Sequence, residues 1–123
     1  FWYTFGKNIV TQAPLSRIPP TQGILGLRYR ERKSGKFFSI YTWMSDRQNR
    51  LDPVRDISDE RIPIGGTPGF ATLNLRAGQN FGCCGQHRLS ISLENITDQP
   101  YLVHGSGVLG TGFTARFGYR GVY

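Results

Sequence analysis

Residues 70–78, FATLNLRAG, alternate without a break. Ala71, Leu73, Leu75 and Ala77 fall on one side of an extended chain, and Thr72, Asn74, Arg76 and Gly78 on the other, because strand side chains point to opposite faces in turn. Turn chemistry precedes it, in Pro63, Gly65, Gly66, Pro68 and Gly69. The arginine in the polar row has two explanations. In a water-soluble sandwich the row is solvated surface, and in a membrane barrel it lines an interior.

The two-row pattern recurs along the chain. GILGLRYRE (23–31) sets Leu25, Leu27 and Tyr29 against Gly26, Arg28 and Arg30. RLSISLENI (88–96) sets Leu89, Ile91 and Leu93 against Arg88, Ser90, Ser92 and Glu94. FTARFGYRGVY (113–123) sets Phe113, Ala115, Phe117, Tyr119 and Tyr123 against Thr114, Arg116, Gly118 and Arg120. KFFSIYTWM (36–44) carries aromatics on both faces, which leaves its facing open, and the opening FWYTFG reads as the end of another strand. With 16 Gly, 7 Pro and no sustained helical periodicity, the chain predicts an all-β fold. Its 123 residues, 38% of them hydrophobic, suit one ordered domain.

The connections fall into two classes. RKSG (32–35) and QNFGCCGQ (79–86) are short, whereas 7–22, 45–69 and 97–112 are long. In a meander of antiparallel hairpins every second connection leaves from the same end of the sheet. One end therefore carries tight turns and the other large loops, the asymmetry of outer-membrane barrels. Strand lengths agree with the roughly 9–11 residues that a tilted membrane strand needs. A charge at mid-depth on the lipid side costs about 2–4 kcal/mol, so a row of arginines is tolerable only if it faces inward. The spacing thus predicts an antiparallel meander forming part of a transmembrane β-barrel, its last five strands plus the tail of a sixth. The expected lumen-facing wall is Arg28, Arg30, Asn74, Arg76, Arg88, Glu94, Arg116 and Arg120. Tyr29, Phe37, Phe81, Tyr119 and Tyr123 are expected near the turn end, and Trp2, Tyr3, Trp43 and Phe70 near the loop end, as interfacial girdles.

A net charge of +7 would suit nucleic acid, but only RYRERK (28–33) clusters basic residues. A solvated turn explains that cluster better, and no nucleic-acid partner is expected. No apolar run reaches about 18 residues, so a transmembrane helix is not expected. The chain starts at Phe1 with no targeting segment to be read, as in a processed protein or a piece of a longer one. Adjacent Cys83 and Cys84 could close only a strained ring and have no third cysteine beside them, so free thiols in a turn are expected.

SRIPPTQGILGLRYRE, DISDERIPIGGTPGFATLNLRAG, LSISLENITDQPYLVHGSGVLGTG and the aromatic-ended GYRGVY, in that order, resemble the C-terminal barrel strands of TonB-dependent outer-membrane receptors. The resemblance runs over nearly all of residues 1–123 and implies a C-terminal piece of a barrel of about 22 strands whose lumen is plugged. It implies active transport of a bulky scarce nutrient, such as an iron–siderophore complex or cobalamin, across the outer membrane of a Gram-negative-type bacterium. The implied partners are outer-membrane lipid, the transported ligand (a metal chelate), the TonB complex through an N-terminal region absent here along with the plug, and the barrel-assembly machinery at the final strand. Tyr123 stands where the family more often has Phe.

Candidate chemistry is sparse. DRQNRLDPVRDISDERIP (46–63) mixes Asp46, Asp52, Asp56, Asp59 and Glu60 with Arg47, Arg50, Arg55 and Arg61. It lacks calcium-loop spacing, so a solvated, self-paired loop is expected ahead of a cargo-contacting one or a metal cage. VHGSG (103–107) lacks the G-x-S-x-G elbow of a hydrolase. Arg47, Arg50, Asp52, Arg55, His104 and Ser106 are the candidate ligand-facing loop residues. Glu94 is expected to pair with Arg76 or Arg116 on a neighbouring strand. No catalytic residue, cofactor or resident metal is expected. The alternative function is a soluble or secreted all-β binding module, whose leucine rows would pack against a second sheet.

Overall fold

Five strands lie side by side in chain order: β1 (Gln22–Arg30), β2 (Phe37–Ser45), β3 (Phe70–Phe81), β4 (His87–Glu94) and β5 (Thr114–Gly121). They form one antiparallel meander in an open sheet. The computed structural model describes residues 1–82 and 86–122; the cysteine pair Cys83–Cys84 and the terminal aromatic Tyr123 lie outside the described residues. No helix is long and apolar enough to cross a membrane, which leaves crossing by strands untouched.

The register of β3, β4 and β5 sorts the side chains completely. Leu75 lies opposite Leu93, which lies opposite Ala115; Ala77 opposite Ile91, and Ile91 opposite Phe117; Gln79 opposite Leu89, and Leu89 opposite Tyr119. Directly opposed residues share a face. The other face then carries Arg76–Ser92–Arg116, Gly78–Ser90–Gly118 and Asn80–Arg88–Arg120 in cross-strand rows. In β2, Phe37, Ser39 and Tyr41 join the polar face, where they line one cavity with Arg76 and Arg88. Phe38 lies on the apolar face with Leu89 and Phe117. This settles the facing that sequence periodicity leaves open.

The opening segment forms less than a strand. Trp2 makes a single antiparallel bridge to Gln22, with Trp2 N–H donating to Gln22 O at 2.8 Å and Gln22 N–H to Trp2 O at 3.0 Å. The preceding residue, Thr21, accepts from Asp46 N–H at 2.8 Å. Successive residues of an extended chain aim their backbone groups to opposite sides, so Trp2 sits on the outer edge.

By its internal contacts the chain forms two compact units. The loop unit is Phe1–Gly23, Met44–Ala71 and Pro100–Thr111, which gathers the three long connections; the strand unit is Ile24–Trp43, Thr72–Gln99 and Gly112–Tyr123. Ile62 and Phe70, the buried hydrophobic residues among those described, both belong to the loop unit. The strand unit instead buries Ser39, Thr72, Asn74 and Asn95 and leaves Leu27 77% and Phe117 79% exposed. Among the described residues no second sheet covers those side chains.

Candidate functional site

All eight residues expected on the wall lie on the polar face or at its edge. Arg28, Arg30, Arg76 and Arg88 line a cavity of about 1040 Å³ with Asn80, Phe37 and Tyr41. Two of these arginines lie over aromatic rings, Arg88 4.9 Å from the Phe37 centroid and Arg76 5.5 Å from that of Tyr41. Such cation–π contact holds a guanidinium in place without neutralising it. Glycines on the neighbouring strands leave room, Gly78 under the Phe37 ring and Gly26 against the Tyr41 backbone and Cβ. A Cβ on Gly78 would come within 2.6 Å of the Phe37 ring, and one on Gly26 within 2.5 Å of the Tyr41 Cβ.

Glu94 accepts from both arginines that flank it, Arg116 at 2.8 Å and Arg76 at 3.4 Å, and from the Ser92 hydroxyl at 3.4 Å. These are the two ion pairs of the strand unit among the described residues. Glu94 is the one carboxylate on the described strands and is taken by Arg76 and Arg116, so with Arg28, Arg30, Arg88 and Arg120 beside them the face is strongly cationic. Asn74, buried in the same row, accepts from Asn95 N–H at 3.0 Å and donates to Thr72 O and Oγ1 at 3.2 Å. Asn95 also brackets Gln99 through both ends of its side-chain amide. Asp98 accepts from Phe113 N–H at 2.7 Å. Asn95 and Asp98 both have positive φ (49°), a conformation these short polar side chains tolerate. The LENITD stretch is therefore a built turn.

In the loop unit, Asp56 is 1% exposed and accepts from Ser16 Oγ at 2.6 Å, Asp52 N–H at 2.9 Å and Arg17 N–H at 3.2 Å. The solvated, self-paired loop expected for 46–63 is corrected at this residue. Three donors from two segments answer its charge, which is how a buried carboxylate is tolerated. Asp59 fits the self-paired expectation, bonded by Arg61 at 2.7 Å and Arg17 at 3.4 Å. The Arg61 guanidinium and N–H hold its carboxyl well below the usual carboxylate range. Gln48, also 1% exposed, donates to Ile18 O at 2.6 Å and exchanges backbone bonds with Thr67 at 3.0 Å each way.

The candidate ligand-facing residues divide by role. Arg50 bonds Tyr3 Oη at 3.0 Å and lies 5.1 Å from that ring's centroid, so it stitches the opening segment to the second long connection. Asp52 caps Val54 and Arg55 N–H, which hold its carboxyl low. Arg47 donates to Gly65 O at 3.2 Å, and Arg55 is exposed. Ser106 Oγ donates to Val108 O at 3.0 Å. His104 Nδ1 lies 2.8 Å from Thr67 Oγ1, while its Nε2 is buried without a partner. Burial pushes the His104 pKa down against the opposing pull of Asp56 and Asp59. Ser106 and His104 are thus engaged elsewhere and do not form a nucleophile–base pair. Among the described residues no three His, Cys, Asp or Glu side chains converge as a metal-ligand set.

Sequence reasoning found the arginines and the pairing of Glu94 with Arg76 and Arg116, and it missed the rings under Arg76 and Arg88 and the polar network of the loop unit. Asp56, Gln48 and Thr67 carry no local signal, because their partners lie up to 40 residues away. No protein-family model, curated protein or solved structure matches the chain.

Proposed function

We propose that the chain is the C-terminal barrel part of an outer-membrane active-transport receptor, of the TonB-dependent kind its sequence resembles. In this reading the strand unit is barrel wall and the long connections are extracellular loops. The plug, the earlier strands and the TonB contact are supplied by the rest of the protein. Its cargo is a bulky scarce nutrient such as a metal chelate, and the residues of this segment guide and hold it without making or breaking bonds.

The observation that carries the reading is the inverted burial of the strand unit. Asn74 and Thr72 are 6% and 2% exposed, while Leu27 and Phe117 are more than three-quarters exposed. A water-soluble domain gains its stability by hiding apolar surface, and this sheet presents it. Acyl chains would cover the Leu25–Leu27, Leu75–Leu93 and Ile91–Phe117 rows at no cost in polar desolvation. The six arginines and Glu94 would meet water or a plug inside. The open sheet is also what a piece of a larger barrel requires, because membrane strands must all be paired to satisfy their backbone groups.

Fractionation of the full-length protein tests this. Recovery in the outer-membrane fraction, released only by detergent, is the expected result. Recovery as a soluble species without detergent would overturn it in favour of an all-β binding module in which another layer covers the leucines.

A further inference from the structure

The apolar face, which the transport reading gives to acyl chains in general, carries one groove with a basic residue in its lining. Its volume is about 760 Å³, and Tyr29, Phe38, Leu89, Phe117 and Tyr119 are among its walls, with Lys36 its charged lining residue. Lys36 stands two residues before Phe38, so it continues the outward row of β2 at the turn end of the sheet. Its ammonium has no carboxylate partner among the described residues. Glu31, bonded to Lys36 through the backbone across the turn, takes the Ser34 hydroxyl instead. Arg32 and Lys33 are exposed in the same turn. Tyr119 Oη is fixed by His87 Nδ1 at 2.9 Å.

An apolar trough with a cation at its mouth complements an amphiphile that has an anionic head and a hydrocarbon tail. A long lysine stem lies along greasy surface while its amine reaches the polar boundary. Tyrosines beside it suit the headgroup level. A peptide strand is a poor fit, because β2, β3 and β4 are internal strands whose backbone groups are used in the sheet. A second copy is no better. The strand residues of its apolar face offer no carboxylate to Lys36.

We infer that this groove seats an anionic phospholipid, with an acyl chain between Phe38 and Phe117 and its phosphate held by Lys36. Arg32 and Lys33 add to the local positive potential. The inference rests on the membrane reading and deepens it by naming a lipid class.

The test uses the full-length protein, purified in mild detergent, stripped of lipid and offered phosphatidylglycerol or phosphatidylcholine, with retained lipid counted by native mass spectrometry. Preferential retention of phosphatidylglycerol is expected. It should fall about fivefold in Lys36→Gln, the size expected for one lysine near an anionic surface. It should persist in Lys36→Arg and in Lys7→Gln, a basic residue of the loop unit. Equal retention of the two lipids by the parent protein, or a preference that Lys36→Gln leaves intact, overturns the lipid site. An outer-membrane protein indifferent to headgroup loses only this inference, whereas a protein soluble without detergent loses the transport reading as well.

Discussion

In the loop unit, Ile62 and Phe70 are buried alongside Gln48, Asp56 and Thr67, and each of those three polar side chains has a named partner. In the strand unit, Ser39, Thr72, Asn74 and Asn95 are buried, while Leu25, Leu27 and Phe117 lie open. The loop unit hides two hydrophobic side chains and answers its buried carboxylate, and it too leaves large apolar residues such as Ile9, Val10 and Ile64 open. The strand unit has no hydrophobic residue in its buried set among the described residues. The two units therefore differ in what they bury, apolar and polar side chains in one and polar side chains in the other.

The sharpest way to break this comparison is Phe117→Arg. In contact with water, replacing an exposed phenylalanine by arginine changes stability by only about 0.5 kcal/mol either way. Against acyl chains the same change should cost about 2–4 kcal/mol, seen as a lower urea midpoint and less full-length protein in the outer membrane. An unaffected variant would put Phe117 in water and remove the contrast between the units. Next in size is Asp56→Ala, which orphans three donors in the loop unit and should cost about 1–3 kcal/mol. Faster limited proteolysis within 46–63, with the strand unit still resistant, is its signature; equal protection would mean the Asp56 hub does not organise the loops.

Smaller again is Glu94→Gln. Its side chain is 20% exposed and its arginine partners 53% and 61%, so water screens the pairs and the loss should stay below about 1 kcal/mol. A larger drop in the urea midpoint would show that the polar face is drier than the exposures imply.

His104 sets the finest test. Burial lowers its pKa from the ordinary 6.5, so the unfolded chain binds the proton more readily than the folded one. Stability from this group is complete above pH 6.5 and is lost as pH falls from there toward the depressed folded value. His104→Gln should flatten the pH dependence of loop protection in that window. An unchanged slope would assign it to other groups.

The sheet was legible wherever the two rows differ in polarity. β3, β4 and β5 place Leu75, Leu93 and Ala115, and Ala77, Ile91 and Phe117, opposite one another across the ladder, and the alternation alone conveys it. β2 was illegible for a physical reason. Phe37 and Tyr41 belong to the polar face because Arg88 and Arg76 lie over them and Gly78 and Gly26 make room, and all four partners are on other strands. β3 runs on to Phe81, past the expected end at Gly78, because Gln79, Asn80 and Phe81 pair with Leu89, Arg88 and His87. Local turn chemistry hid that pairing. The arginines were legible as a row, but the loop network was not. Thr67 and His104, 37 residues apart, meet only after the chain has folded.

The Gln48–Thr67 bridge pins the base of the second long connection, with the two backbone bonds drawing its departing and returning arms together. Exposed positions between those arms, such as Val54, Ile57 and Ile64, can therefore change while the clasp stays closed.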